Sequence, residues 1–208
     1  MKRYAVLFAL LYSSLFPVTS QAAPLFSDNF DGETLSLNYN SFAQWTVSGG
    51  TVDLIGNPGF FDLLPGNGRY VDLDGSTGLA GTMTSSALSL TGGVTYDLTF
   101  SLAGSQRGDI NTVIYGIEYQ SGGVLDVSSS QTLASNVGFG VFSLTFTPLT
   151  STVDAHILFH NLGGDNVGLL LDNVAVNSRV AGVPEPGTLL LLGFGLAGLA
   201  VWRRRQQG

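Results

Sequence analysis

Hydrophobic and polar residues alternate along much of the chain. Val94, Tyr96, Leu98, Phe100 and Leu102 are separated by Thr95, Asp97, Thr99 and Ser101. A period of two sends successive side chains to opposite faces, so this segment predicts a strand buried on one face. The alternation recurs at Val113, Tyr115, Ile117 and Tyr119, at Phe142, Leu144 and Phe146, and at Ala155, Ile157 and Phe159. Leu169, Leu171, Val174 and Val176 continue it with a phase slip at Asp172-Asn173, which predicts a β-bulge. Gly-Gly pairs at 49–50, 92–93, 122–123 and 163–164 fall between strand-like runs, where tight turns need positive φ. The body has no convincing helical periodicity and no repeat of about 20–50 residues, which argues against a solenoid or propeller. The expectation is an all-β, two-sheet antiparallel β-sandwich of the jelly-roll type.

Both ends break this pattern. Lys2 and Arg3 precede an apolar run, Tyr4 to Phe16, and Ser20-Gln21-Ala22 offers small residues at the positions a signal peptidase reads. A signal peptide over residues 1–22 is expected. At the far end Val183-Pro184-Glu185-Pro186-Gly187 interrupts any regular structure. Thr188 to Trp202 then carries no charge, and Arg203-Arg204-Arg205 follows. The apolar run is at the short limit of what crosses a bilayer core. Both basic clusters stay on the cytoplasmic side, which places the body outside. The chain is expected to divide into a signal helix (1–22), a β-sandwich (23–180) and a tail (181–208) with a single transmembrane helix at about 188–202.

The tail resembles the PEP-CTERM sorting domain of Gram-negative bacteria, with its Pro-Glu-Pro sequence, short hydrophobic helix and closing arginine cluster. The resemblance implies that Pro184, Glu185, Pro186, Arg203, Arg204 and Arg205 form a sorting signal. It also implies export, transient residence in the inner membrane, cutting by an exosortase, and delivery to the cell surface or an exopolysaccharide matrix. A plain uncut anchor is the alternative.

Composition narrows the chemistry of the body. Charged residues are scarce at 11%, and 28 of 208 residues are glycine, which suits short apolar strands joined by tight turns. There is no cysteine, which excludes disulfides, thiol nucleophiles and thiolate metal sites. The net charge of −7 is unevenly spread. Between the two ends lie three arginines (Arg69, Arg107 and Arg179) and 14 of the 15 acids, so the body carries 3 − 14 = −11. That surface repels nucleic acid and anionic lipid. It is compatible with calcium, whose ligands are carboxylate and carbonyl oxygens, and equally with plain solubility.

A second resemblance runs through the body. Tyr70-Val71-Asp72-Leu73-Asp74-Gly75, then Val94-Thr95-Tyr96-Asp97-Leu98-Thr99-Phe100, then Asn166 to Val174 are similar, in that order, to galactose-binding-like jelly rolls, which include many carbohydrate-binding modules. The likeness implies one structural calcium between the first and last strands, at Asp31 and Asp172. A turn at Asp31-Gly32 and a bulge at Asp172 explain the same residues without metal. A sugar ring presents C–H bonds to an aromatic face and hydroxyls at its edge. Trp45, Phe60, Phe61 and Tyr70 are the candidate platform, although aromatics in a β-protein also fill the core. Phe60 and Phe61 are adjacent, after Asn57-Pro58-Gly59, and do not easily both face inward.

Catalytic signatures are sparse. His156 and His160 are the only histidines, too few for a histidine zinc site. Asp72-Leu73-Asp74-Gly75 lacks the glycine and glutamate spacing of an EF-hand. There is no nucleophile elbow and no phosphate-cradling Gly–Lys loop. Arg107-Gly108-Asp109 spells an adhesion tripeptide that chance explains. The expectation is an exported, non-catalytic protein that binds polysaccharide. The alternatives are a structural surface or matrix protein with no small ligand and, further off, a hydrolase.

Overall fold

The computed structural model describes residues 23–59, 61–179 and 203. The expected signal helix, and the tail helix apart from Arg203, lie outside the described residues. Among the described residues no helix is long and apolar enough to cross a membrane.

The body folds into two antiparallel sheets. The first runs in the order β11 (Gly140–Phe146), β8 (Tyr96–Ala103), β13 (Leu170–Ser178), β5 (Arg69–Asp72), β4 (Val52–Gly56) and β2 (Ser36–Tyr39), with β1 (Phe26–Asp28) also paired to β13. The second runs β10 (Val127–Ala134), β9 (Ile110–Glu118), β12 (Thr152–Asn161), β6 (Thr82–Ser85) and β3 (Trp45–Ser48), with β7 (Leu88–Leu90) also paired to β12. The five predicted strands are β8, β9, β11, β12 and β13, and the expected sandwich is what they build.

Alternation decides what meets in the middle. Leu98, Phe100 and Leu102 of β8 face inward beside Leu171, Val174 and Val176 of β13. Val113, Tyr115 and Ile117 of β9 and Ile157 and Phe159 of β12 face them from the other sheet. A line of aromatic rings stitches the sheets together. Phe26 meets Trp45 edge-on at 5.3 Å, and Trp45 meets Phe159 at 6.0 Å. Phe159 meets Phe100 at 5.0 Å, and Phe100 meets Tyr115 at 4.6 Å. These edge-to-face and tilted pairs are the favoured arrangements of aromatic quadrupoles.

The punctuation also behaves as read. Gly49 adopts φ +73° in the turn between β3 and β4. A Cβ on the next residue, Gly50, would sit 2.4 Å from the Ala80 carbonyl oxygen, so only glycine fits there. The phase slip is a bulge, with the β13–β8 register shifting between Asp172 and Ala175. Asn173 takes φ 52° there, and its amide N donates to the Asp172 carboxylate at 2.7 Å.

Candidate functional site

The outer face of the first sheet is not simply solvated. Ile55 of β4, Tyr70 of β5, Ala103 of β8 and Leu170 of β13 point outward and form a second apolar cluster, covered by Leu63, Leu64 and Phe139. The segment between β4 and β5 therefore folds back over its own strands. Tyr70 ties it down: its hydroxyl accepts the Leu64 N–H at 2.9 Å and donates to Asp62 at 3.2 Å. Burial pushes this phenol up to about 12.

Beside that cluster lies a cavity of about 90 Å³ lined by Leu37, Asp53, Phe61, Asp72, Ser76 and Arg107, among others. Asp53 and Asp72 are direct register partners on β4 and β5. Opposed carboxylates on neighbouring strands repel. Two devices hold them. Asp53 accepts bonds from the Asn38 amide (2.7 Å), the Ser76 amide (3.1 Å) and the Ser76 hydroxyl (2.7 Å). Asp72 accepts the amides of Asp74 (3.1 Å) and Gly168 (2.9 Å) and pairs with the Arg107 guanidinium. Burial still pushes Asp72 up to about 7, against the pull of Arg107.

Arg107 is aimed by its loop. Gln106 takes φ 59°, and its side-chain amide donates to the carbonyls of Gly104, Ser135 and Val137. Ser105 donates to Asp109 at 2.6 Å. Arg107 thus turns inward onto Asp72, so the Arg-Gly-Asp sequence does not offer its arginine as an adhesive tripeptide. The other two arginines of the body are also engaged. Arg69 donates through its guanidinium to the Glu33 carbonyl, and Arg179 pairs with Asp97.

The four aromatic candidates separate. Phe61 lines the cavity, is 58% exposed and holds φ 57°, a left-handed backbone that bulky residues rarely adopt. Phe60 lies outside the described residues. Trp45 and Tyr70 are corrected. Trp45 is 3% exposed, its indole N–H bonded to Asp28 at 2.9 Å and its ring packed in the core line. Tyr70 is buried in the cluster that Leu63, Leu64 and Phe139 cover. Neither can present a ring face to a ligand.

The two calcium candidates lie near each other, Asp31 shortly after β1 and Asp172 on β13, the strand that β1 pairs with. Asp31 accepts the Arg69 amide at 2.9 Å and the Asn29 side-chain amide at 3.0 Å. Asp172 is buried on β13. Burial and the charges of Asp31 and Asp28 push its carboxyl up to about 7, although the Asn173 amide pulls the other way. An open cleft of about 750 Å³ lined by Asp28, Asn29, Glu33 and Asn173, among others, adjoins them. Among the described residues no three His, Cys, Asp or Glu side chains converge as metal ligands. A calcium ion here would draw the rest of its six to eight oxygens from amides, carbonyls and water. The histidines lie on the outer face of the second sheet, His156 on the Ser85 carbonyl (2.7 Å) and His160 on the Thr82 hydroxyl (3.1 Å).

Asp53, Ser76 and Arg107 were missed as site residues. One signal was available: Asp53 and Asp72 interrupt the apolar runs Val52 to Ile55 and Tyr70 to Leu73, where a charge needs a reason.

Among curated proteins none matches this chain. Among solved structures, the CBM22-1 xylan-binding domain of Paenibacillus barcinonensis Xyn10C is similar at 13% identity and TM-score 0.48, over 76% of this chain and 96% of that one. The C-terminal family 22 carbohydrate-binding module of Clostridium thermocellum Xyn10B is similar at 15% identity and TM-score 0.48, over 78% and 96%. TmCBM61, solved in complex with β-1,4-galactotriose, is similar at 15% identity and TM-score 0.46, over 74% and 98%. Residues 182–205 match the PEP-CTERM protein-sorting motif, and residues 21–177 match a family described as a protein of unknown function, DUF642. The chain is therefore a member of the DUF642 family that carries a PEP-CTERM sorting motif.

Proposed function

We propose that this is an exported, non-catalytic protein that binds carbohydrate through the cavity on the outer face of its first sheet. One observation carries the reading: Asp53, Asp72, Ser76 and Arg107 converge beside the exposed ring of Phe61. Carboxylates and a guanidinium meet the paired hydroxyls of a sugar, and an aromatic face meets its C–H bonds. The cavity is small, so it takes the edge of one ring of a longer chain. A left-handed backbone at an aromatic residue is strain of the kind that persists where it has a use.

The test is retention on immobilised polysaccharide. Xylan and β-1,4-galactan are the first probes, followed by the exopolysaccharide of the host. Phe61→Ala is expected to weaken retention about tenfold through loss of the ring face. No retention of the wild type on any of the three would sink the proposal. Release of reducing ends from the same matrices would replace it with the hydrolase reading.

Sorting and the cation belong to the same proposal. An exosortase cuts the tail, and the body then stays at the cell surface or in the matrix. Mass spectrometry of surface-recovered protein is expected to find no Arg203-Arg204-Arg205 end; an intact end would restore the plain anchor. A structural calcium at Asp31 and Asp172 is supported by the burial of Asp172 among like charges. An ion that binds only the folded state raises the melting temperature. Chelator is thus expected to lower the melt, and an unchanged melt would refute the calcium.

A further inference from the structure

The second sheet ends on β10, Val127–Ala134, which pairs with β9 and, among the described residues, with no second strand. Proteins blunt such edges with lysine, proline, a bulge or shortness. β10 spans eight residues, Val-Ser-Ser-Ser-Gln-Thr-Leu-Ala, with no charge and no proline, in unbroken register with β9. The 27 residues from Val127 to Val153 carry no charge at all. They include β11, one of the two terminal strands of the first sheet, where Val141 is 79% exposed. In a body of charge −11, this stretch adds no charge of its own to a meeting of two copies.

The backbone says which residues face outward along that edge. Leu162 donates to the Thr112 carbonyl at 2.7 Å, so the peptide groups of Thr112 point toward β12. Thr112 lies opposite Thr132 in the β9–β10 ladder. Thr132 therefore points its own N–H and C=O away from β9, and by the period of two so do Ser128 and Ser130. The Thr132 carbonyl meanwhile takes a stopgap donor, the Gln131 side-chain amide at 3.1 Å.

We propose that β10 pairs antiparallel with β10 of a second copy of this chain, about a twofold axis through Ser130. The sequence is self-complementary in that register. Ser128 faces the partner's Thr132, and Ser130 faces the partner's Ser130. These are the residues with outward peptide groups, and they would exchange about six N–H···O bonds. On the inner face Val127 lies near the partner's Leu133; both already pack half-buried against the core. On the outer face hydroxyls meet hydroxyls and extend the cross-strand pair that Thr112 and Thr132 make at 2.7 Å. The two second sheets join into one continuous sheet across an isologous interface.

The experiment uses the full chain in detergent, with mass read by light scattering across a concentration series. A dimer that dissociates on dilution is expected. Ser130→Lys sets like charges across the axis and Ser130→Pro removes an outward N–H while sparing the bonds to β9; each is expected to weaken the dimer about tenfold or more. Ser130 is exposed, so at dilutions where the wild type is monomeric both variants should melt like it, which separates loss of pairing from loss of fold. The chain has no native cysteine, so Ser130→Cys is expected to form a disulfide dimer under mild oxidation, while Thr46→Cys on the opposite edge strand β3 does not. A chain monomeric at every concentration, a dimer indifferent to both Ser130 variants, or equal cross-linking at positions 46 and 130 would overturn the proposal.

Discussion

Phe100→Ala is expected to lower the unfolding free energy by about 4 kcal/mol, at the upper end of large-to-small core substitutions. Phe100 is buried and meets Tyr115, Phe159 and Phe142 at 4.6, 5.0 and 6.2 Å. It reaches from the first sheet into the second, so its removal leaves a cavity that the sheets cannot close without sliding. With no cysteine there is no cross-link to compensate. Against a total stability of about 5–15 kcal/mol, that loss is a large fraction. Phe100→Leu keeps most of the volume and should cost about 1.5 kcal/mol. Chemical denaturation checks both. A loss below about 2 kcal/mol for the alanine variant would mean that the aromatic line does not hold the sandwich together.

Arg107→Ala should show a different dependence, one that changes with pH. Burial raises the Asp72 carboxyl from its ordinary 3.8 to about 7. The folded state therefore binds that proton more tightly than the unfolded chain does. Stability from this group is fully present below about pH 4 and is lost as pH rises toward 7. Arg107 is the one cation that favours the ionised form, so without it Asp72 climbs further. The alanine variant is expected to lose about 1 kcal/mol at pH 5, where Asp72 is mostly neutral. At pH 8 the wild type ionises Asp72 against the partly exposed Arg107 and the variant holds it protonated, so the loss rises to about 2 kcal/mol, one pH unit above the wild-type value adding at most about 1.4 kcal/mol. Asp172, also raised to about 7, adds to the fall of the wild type in the same direction. Melts in chelator at the two pH values decide the matter, and an equal loss at both would contradict this account.

The long strands were legible because one face of each is core and the other is wet. β8 alternates cleanly, and so do β9, β11 and β12. β4 and β5 were harder, since Leu63 and Leu64 pack over their outer face and Val52 to Ile55 is buried on both faces, Asp53 included. β10 was not read at all: its inward residues Val127, Ser129, Gln131 and Leu133 give too little contrast with its hydroxyl face. The bulge was readable because an extra residue at Asp172-Asn173 is what lets Leu171 and Val174 stay on the same buried face. The aromatic candidates show the opposite limit. Residue type does not reveal which face of a strand a ring occupies, so Trp45 and Tyr70 stand as platform candidates in the sequence and lie inside the structure. Asp53, Ser76 and Arg107 come from separate stretches of chain, and only the register of β4 against β5 and the bend of the 104–109 loop bring them together. No spacing in the sequence could announce that.

The arginines of the body have a bearing on durability. Arg69, Arg107 and Arg179 are its only basic residues, and each is held to a carbonyl or a carboxylate. A trypsin-like protease must draw a basic side chain into its pocket and hold the flanking backbone extended. The folded body offers such an enzyme three sites over its whole length, and each must be pulled from its tether first. Digestion by such enzymes would therefore wait on local opening of the fold. For a domain left outside the cell, that is resistance to a common class of secreted hydrolase, achieved without a single covalent cross-link.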